Sequence, residues 1–363
     1  MHVTRLNVGV VGLGEVAQII HLPNLLELNQ KFKLAALCDV SPRLLEAVAN
    51  RYHVSERFVD YREMLEKVPL DVVLVLNANE YHADTALAAL DHGAHVFVEK
   101  PLCMNRREAE TLQERVQKAG RILMVGYMRR YDQAFAQAAK IIAGWPRIDY
   151  AEIFDMIGSN RLIIDQAAEI FRFDDVPEKI IRERGVRNQH AIAEALGTVP
   201  EVLANAYGMM LGLASHDVSA MRELLGRPQR VLAAKAWNQG YYFHAMLDFG
   251  SYVASLQIGS DQQLRFDAHI LLTSPHESLR LQYDTPYIRH LPTQLFHDVA
   301  CDEVWTRSQE RRTFRDAFVA ELLAFHDAVR TSIPPKTSVN DFVEDLCLFE
   351  AMIDAMKSSM SCC

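Results

Sequence analysis

Short, mostly apolar runs alternate with longer amphipathic stretches from residue 6 to residue 126. The runs are LNVGVV (6–11), FKLAALCD (32–39), DVVLVLN (71–77), HVFVE (95–99) and RILMVGY (121–127). Runs with apolar residues facing both ways are what buried parallel strands require. Between them the apolar positions take helical spacing. Helices are predicted over 15–29, over Pro42–Arg51 with Ser41 as N-cap and Pro42 at the first helical position, around Ala86, Leu87 and Leu90 up to Gly93, and over Asn105–Ala119 up to Gly120. Repeated β-α units of this kind predict a doubly wound parallel sheet, an α/β domain over residues 1–127.

The pattern changes after about residue 130. A helix over 132–143 leads to a strand near 148–157, and residues 160–225 read as mostly helical, with breaks at Pro177, Gly185 and Gly197–Pro200. Five alternating runs follow (230–237, 241–249, 252–260, 264–273 and 278–283), spaced as closely as in antiparallel hairpins. Two helices, about 313–331 and 339–357, stand on either side of Pro334-Pro335. Residues 128–363 are therefore expected to form an α+β domain. It has a mostly antiparallel open sheet and a helical insertion at about 160–210, read either as a solvated insertion or as a lid or subunit contact.

Composition narrows the choice of partner. With 363 residues the chain exceeds one ordinary core. A formal net charge of −9 disfavours nucleic acid, whose phosphates call for a basic excess. No apolar run is long enough to cross a bilayer, and the N-terminal residues lack the layout of a signal peptide, so a cytoplasmic protein is expected. The six cysteines (38, 103, 301, 347, 362 and 363) include no C-x-x-C pair and fit free thiols in a reducing compartment. Cys362-Cys363 does not place a Cys fourth from the end, as prenylation needs, and reads as a tail. The histidines show no metal-ligand spacing, so no metal site is expected.

The first chemical signal lies between the first strand and the first helix. Gly12-Leu13-Gly14-Glu15-Val16-Ala17 is G-x-G-x-x-A, the turn that cradles a dinucleotide pyrophosphate in a Rossmann domain. Gly12 permits the tight turn, Gly14 lets the backbone approach the phosphates, and Ala17 lets helix and strand pack closely. The helix N-terminus at Glu15 and Val16 offers free N–H groups to the anion. Asp39 ends the second strand, 22 residues after Ala17, where an acid accepts hydrogen bonds from the adenosine ribose. It repels a 2′-phosphate and favours NAD, while nearby Arg43 leaves NADP possible. Asn77 and His82 flank the next strand-end turn, where ligands of such sheets bind. His82 reads equally as a ligand contact or as a polar residue at a helix start.

The stretch VFVEKPLC (96–103) places Glu99, Lys100 and Pro101 at the end of another buried run. The proline confines the lysine before it to extended geometry, which aims a flexible side chain. A lysine in such a place can share a proton with a substrate hydroxyl. With the glycine turn and the following VGYMRRYD (125–132), this turn resembles the glucose–fructose oxidoreductase/inositol dehydrogenase/MocA family. That resemblance is specific in residues 6–132 and looser beyond. It implies an N-terminal Rossmann domain, a C-terminal open sheet, and NAD(P)-dependent oxidation of a sugar, inositol or related polyol. It further implies that Glu99 and Lys100 stand at the cofactor, that Lys100 also meets substrate, and that Met128 and Arg129 lie near both.

The family's second motif is an Asp, three residues, and a His. His216 matches the histidine, but Gly212 stands where the Asp belongs. Asp217 points about 100° away on a regular helix and substitutes poorly unless the helix is distorted. Lys100 and His216 are then the expected catalytic pair, with Lys100, Arg129, His216, Tyr241 and Tyr242 as substrate residues. Two alternatives stay open: a dihydrodiol-type or carbonyl-reducing oxidoreductase, and a non-catalytic regulator that binds dinucleotide. A homodimer or larger homo-oligomer is expected by analogy of fold.

Overall fold

The structure is a computed structural model that describes residues 5–361. Cys362 and Cys363 lie outside the described residues. The chain divides into two compact units, one built on residues up to Tyr127 with Ala168–Gly197 and Glu321–Glu344 added, the other from the remainder.

The apolar runs of the first unit become β1 (Leu6–Val11), β2 (Phe32–Cys38), β4 (Val72–Val75), β5 (His95–Glu99) and β6 (Leu123–Gly126), joined by a short β3 (Glu56–Phe58). They form one parallel sheet in the order β3-β2-β1-β4-β5-β6. Val72 to Val75 have no exposed surface, as expected of a strand with both faces covered. The direction of winding reverses between β1 and β4, which opens a crevice beyond their carboxyl ends.

Local signals set the helix boundaries. Ser41 caps the helix Pro42–Arg51 by accepting from Leu44 N–H. Asn105 does the same for Arg106–Ala119 through Glu108 N–H, and that helix ends at Gly120 in the left-handed conformation (φ 61°).

The second unit carries β7 (Tyr150–Ile157), β8 (Arg230–Trp237), β9 (Tyr242–Asp248), β10 (Val253–Ser260), β11 (Phe266–Thr273), β12 (Glu277–Tyr283), β13 (Gln294–Cys301) and β14 (Val304–Glu310). Their order is β14-β13-β12-β11-β7-β10-β9-β8, antiparallel except for β7 beside β10. Alternate residues such as Leu279, Leu281 and Tyr283 bury one face.

The structure departs from the sequence reading in several places. Gly185 breaks nothing, because it lies inside the continuous helix Glu178–Leu196. Strands β13 and β14 went unforeseen, since β14 is almost wholly exposed and has no apolar face to announce it. Ala168–Gly197 and Glu321–Glu344, assigned from sequence to the second domain, group with the first unit. Contacts within the unit include the ion pairs of Arg107 with Glu194 (2.8 Å) and Arg187 with Asp84 (2.7 Å).

Candidate functional site

The glycine turn sits at the carboxyl end of β1. Gly12 has φ +93°, and a Cβ there would lie 2.4 Å from Asn77 N, so only glycine fits. Gly14 is the opposite case: a Cβ would meet nothing within 4 Å. Its outer side is open space beside the start of the following helix, the room a pyrophosphate needs. Ala17 is buried against the sheet. Residues Ala17–His21 are wound as a π-helix, an irregularity common at functional sites.

Asp39 is anchored from both sides. Leu13 N–H donates to Oδ2 (2.8 Å) and Ser41 N–H donates to Oδ1 (2.9 Å). Burial raises its pKa, and these two donors pull against that rise. Each carboxylate oxygen keeps acceptor capacity for a hydroxyl. Asn77 donates through Nδ2 to Thr85 Oγ1 (3.0 Å), while its Oδ1 is buried with no hydrogen-bond partner among the described residues. Gly12, Gly14, Asp39 and Asn77 line one cavity of ≈ 590 Å³, within the size range of small-ligand sites. The open flank of Gly14, the ribose-ready acid and the orphaned amide oxygen together fit a dinucleotide.

The other wall of this cavity comes from Ala168–Gly197, through Phe173, Val176, Ile180, Glu183, Arg184 and Arg187. Gln18 clasps the segment, donating to Phe171 O (3.1 Å) and accepting from Phe171 N–H (2.8 Å). Glu15 pairs with Arg172 (2.8 Å). Arg51 covers the Phe171 ring at 4.0 Å and Arg43 the Phe173 ring at 4.5 Å. The sequence reading missed these wall residues. They lie more than 130 positions from the glycine turn, with no motif to join them to it.

Glu99 and Lys100 stand at the end of β5. Glu99 is buried and accepts from His21 Nε2 (2.7 Å) and from Lys100 N–H (3.2 Å). Burial pushes its carboxyl up, but His21 and then Lys100 hold it below its ordinary value. The Lys100–Pro101 peptide is cis. His82 is buried and meets two carbonyl oxygens, Pro101 O at Nδ1 (2.7 Å) and Asn77 O at Nε2 (2.9 Å). Burial lowers its pKa, whereas both carbonyls favour the protonated ring. Its side chain therefore braces the turn after β4 against the Lys100 turn. Of the two sequence readings of His82, the structure adds a third, a positioning residue.

In the second unit, Met128 and Arg129 belong to a buried 3-10 turn, Met128–Tyr131. The Arg129 guanidinium bonds Asp155 (2.9 Å) and Asp217 (2.5 Å) and lies over the Tyr283 ring at 4.4 Å. His216 follows a π-helical segment, Met210–Ala214, so the helix is indeed distorted just before it. The Asp217 carboxylate is nonetheless engaged by Arg129. Tyr242 donates to Asp261 Oδ2 (3.2 Å) and stacks on Trp237, and Tyr241 is exposed; neither joins the Arg129 cluster. Among the described residues no group of His, Cys, Asp or Glu forms a metal site, and no helix is long and apolar enough to cross a membrane.

Residues 6–127 match the model of an oxidoreductase family with an NAD-binding Rossmann fold. The inositol 2-dehydrogenase of Salmonella paratyphi B is 33% identical over 139 residues, covering 38% of this chain and 41% of that protein. The scyllo-inositol 2-dehydrogenase (NAD(+)) of Bacillus subtilis is 32% identical over 217 residues, 60% of this chain and 53% of that protein. The matched stretch thus spans about half or less of these relatives' lengths. The myo-inositol 2-dehydrogenase structure from Lactobacillus plantarum superposes with a TM-score of 0.73 over 98% of both chains, at 19% identity, and shows the shared fold.

Proposed function

We propose that this chain, whose residues 6–127 match an oxidoreductase family with an NAD-binding Rossmann fold, is a member of the glucose–fructose oxidoreductase/inositol dehydrogenase/MocA family and an NAD-dependent dehydrogenase oxidising a hydroxyl of a sugar, inositol or related polyol. The observation that carries the reading is the single cavity where the open flank of Gly14 meets Asp39 and the unpartnered Asn77 Oδ1. A nicotinamide dinucleotide, when bound, supplies the hydride acceptor. The chain supplies the rest. The backbone N–H groups at Glu15 and Val16 hold phosphate, and Asp39 holds the ribose hydroxyls.

Lys100 is the group proposed to take the proton from the substrate hydroxyl. Its backbone is fixed from two sides, by Glu99 at its N–H and by His82 at the carbonyl of the next residue. His216 is proposed as a second proton-transfer group, tested separately by His216→Ala. The names of the relatives favour inositols and related polyols as substrates.

The test is direct. The purified protein is mixed with NAD⁺ and a panel of inositols, aldoses, uronates and diols, and reduced nicotinamide is followed by absorbance. Turnover of one or more polyols is expected. Binding of NAD⁺ without turnover anywhere on the panel would leave the regulator reading in its place.

A further inference from the structure

Asp175 occupies an anion position beside the candidate ribose site. Its Oδ1 accepts a hydrogen bond from Ser41 Oγ, and its Oδ2 accepts from Arg43 N–H (2.9 Å). The donors are the N-cap Ser41 and the second residue, Arg43, of the helix Pro42–Arg51, just after Asp39. Ser41 N–H is already given to Asp39 Oδ1. The Arg43 side chain is occupied as well, bonded to Asp174 Oδ1 (3.4 Å) and laid over Phe173. Ser41 hydroxyl, helix N–H and arginine guanidinium are what a phosphate on the ribose 2′-oxygen would use in this turn. Here two carboxylates of the chain's own segment take all three. Ser41 and Arg43 N–H hold the Asp175 carboxyl below its ordinary value, so the group is anionic at neutral pH.

We propose that Asp175 is a cofactor-specificity residue, which fills the 2′-phosphate position with the chain's own carboxylate and so restricts the cavity to a dinucleotide with a free 2′-hydroxyl. The proposal rests on the dinucleotide reading above. It adds a determinant 136 positions from Asp39. A 2′-phosphate must displace Asp175 or stand beside both it and Asp39, and like charges so placed are strongly unfavourable. Arg43, which in the sequence alone offsets the repulsion by Asp39, is turned to Asp174 and Phe173 instead.

Calorimetric titration with NAD⁺, NADP⁺, ADP and 2′,5′-ADP reads the site without turnover. The unaltered protein binds NAD⁺ and ADP in preference to their 2′-phosphorylated counterparts. In Asp175→Ala, the preference for NAD⁺ over NADP⁺ falls by about ten-fold or more, through tighter NADP⁺ binding, while NAD⁺ affinity changes by about three-fold or less. Asp175→Asn keeps the shape and removes the charge, and shifts 2′,5′-ADP in the same direction should the alanine variant fold poorly. Unchanged ratios in both variants, with NAD⁺ still bound, would overturn the proposal alone. Failure of the unaltered protein to bind NAD⁺ or ADP would overturn the dinucleotide reading and this proposal with it.

Discussion

Two of the buried acid–base centres among the described residues, one in each unit, are balanced differently. In the first, one imidazole faces one carboxylate, His21 and Glu99, and Lys100 N–H adds a donor to the second oxygen. In the second, one guanidinium faces two carboxylates, Asp155 and Asp217. The first leaves Glu99 below its ordinary value. The second leaves Asp217 far above its own, since burial and then the Asp155 charge outweigh Arg129. Asp155 Oδ1 and Asp217 Oδ2 have no hydrogen-bond partner among the described residues. A proton on Asp217 directed toward Asp155 would satisfy both atoms and balance the charge. A matched pair beside the Lys100 turn thus favours the ionised acid, whereas the surplus acid around Arg129 favours a protonated one.

Removing the shared cation breaks the comparison most severely. Arg129→Met leaves two buried carboxyls facing each other, and a loss of about 3–5 kcal/mol is expected, read as a lowered urea midpoint. Retention of full stability would show that the guanidinium is not what holds the cluster.

His82→Leu comes next. It removes the N–H that a neutral imidazole gives to one of the carbonyls of Asn77 and Pro101 and should cost about 2 kcal/mol. It should also lower turnover through the Lys100 turn while the protein stays folded. Equal activity and stability would remove His82 from its bracing role.

Asp217→Asn has the smallest expected effect, because an amide replaces the protonated carboxyl and can still donate toward Asp155. Its cost at neutral pH should stay within about 1 kcal/mol. The sign of the pH dependence separates the two centres. A raised carboxyl stabilises the fold below its unfolded value, near 3.8, and that stability is lost as pH rises through the folded value. A depressed one, Glu99, stabilises above its unfolded value, near 4.5, and that stability is lost as pH falls through the folded value. Urea midpoints from mildly acidic to neutral pH should therefore decline less for Asp217→Asn than for the unaltered protein. An identical decline would contradict the shared proton.

The two regions also differ in how far the sequence discloses them. Gly12, Gly14 and Ala17 lie in one turn, and Asp39 follows at a spacing fixed by one strand–helix–strand unit. Short-range geometry therefore writes the candidate nucleotide cradle into nearby residues. The caps at Ser41 and Asn105 are local in the same sense. The Arg129 cluster joins residues 129, 155, 217 and 283, and the Asp175 contact joins 175 to 41. Such pairings depend on which faces of distant elements meet, and composition carries no record of that. His216 is proposed from the motif alone. The engagement of Asp217 by Arg129 was not legible, because its partner is 88 positions away.

The most direct test of the functional account uses Lys100→Met. NAD⁺ affinity is measured by calorimetry and polyol turnover by reduced-nicotinamide absorbance on the same preparation. The account predicts NAD⁺ binding within about three-fold of the unaltered protein and turnover reduced by about 10²-fold or more, the usual scale of a lost proton-transfer group. Turnover within a few-fold of the unaltered protein, with NAD⁺ bound normally, would contradict it.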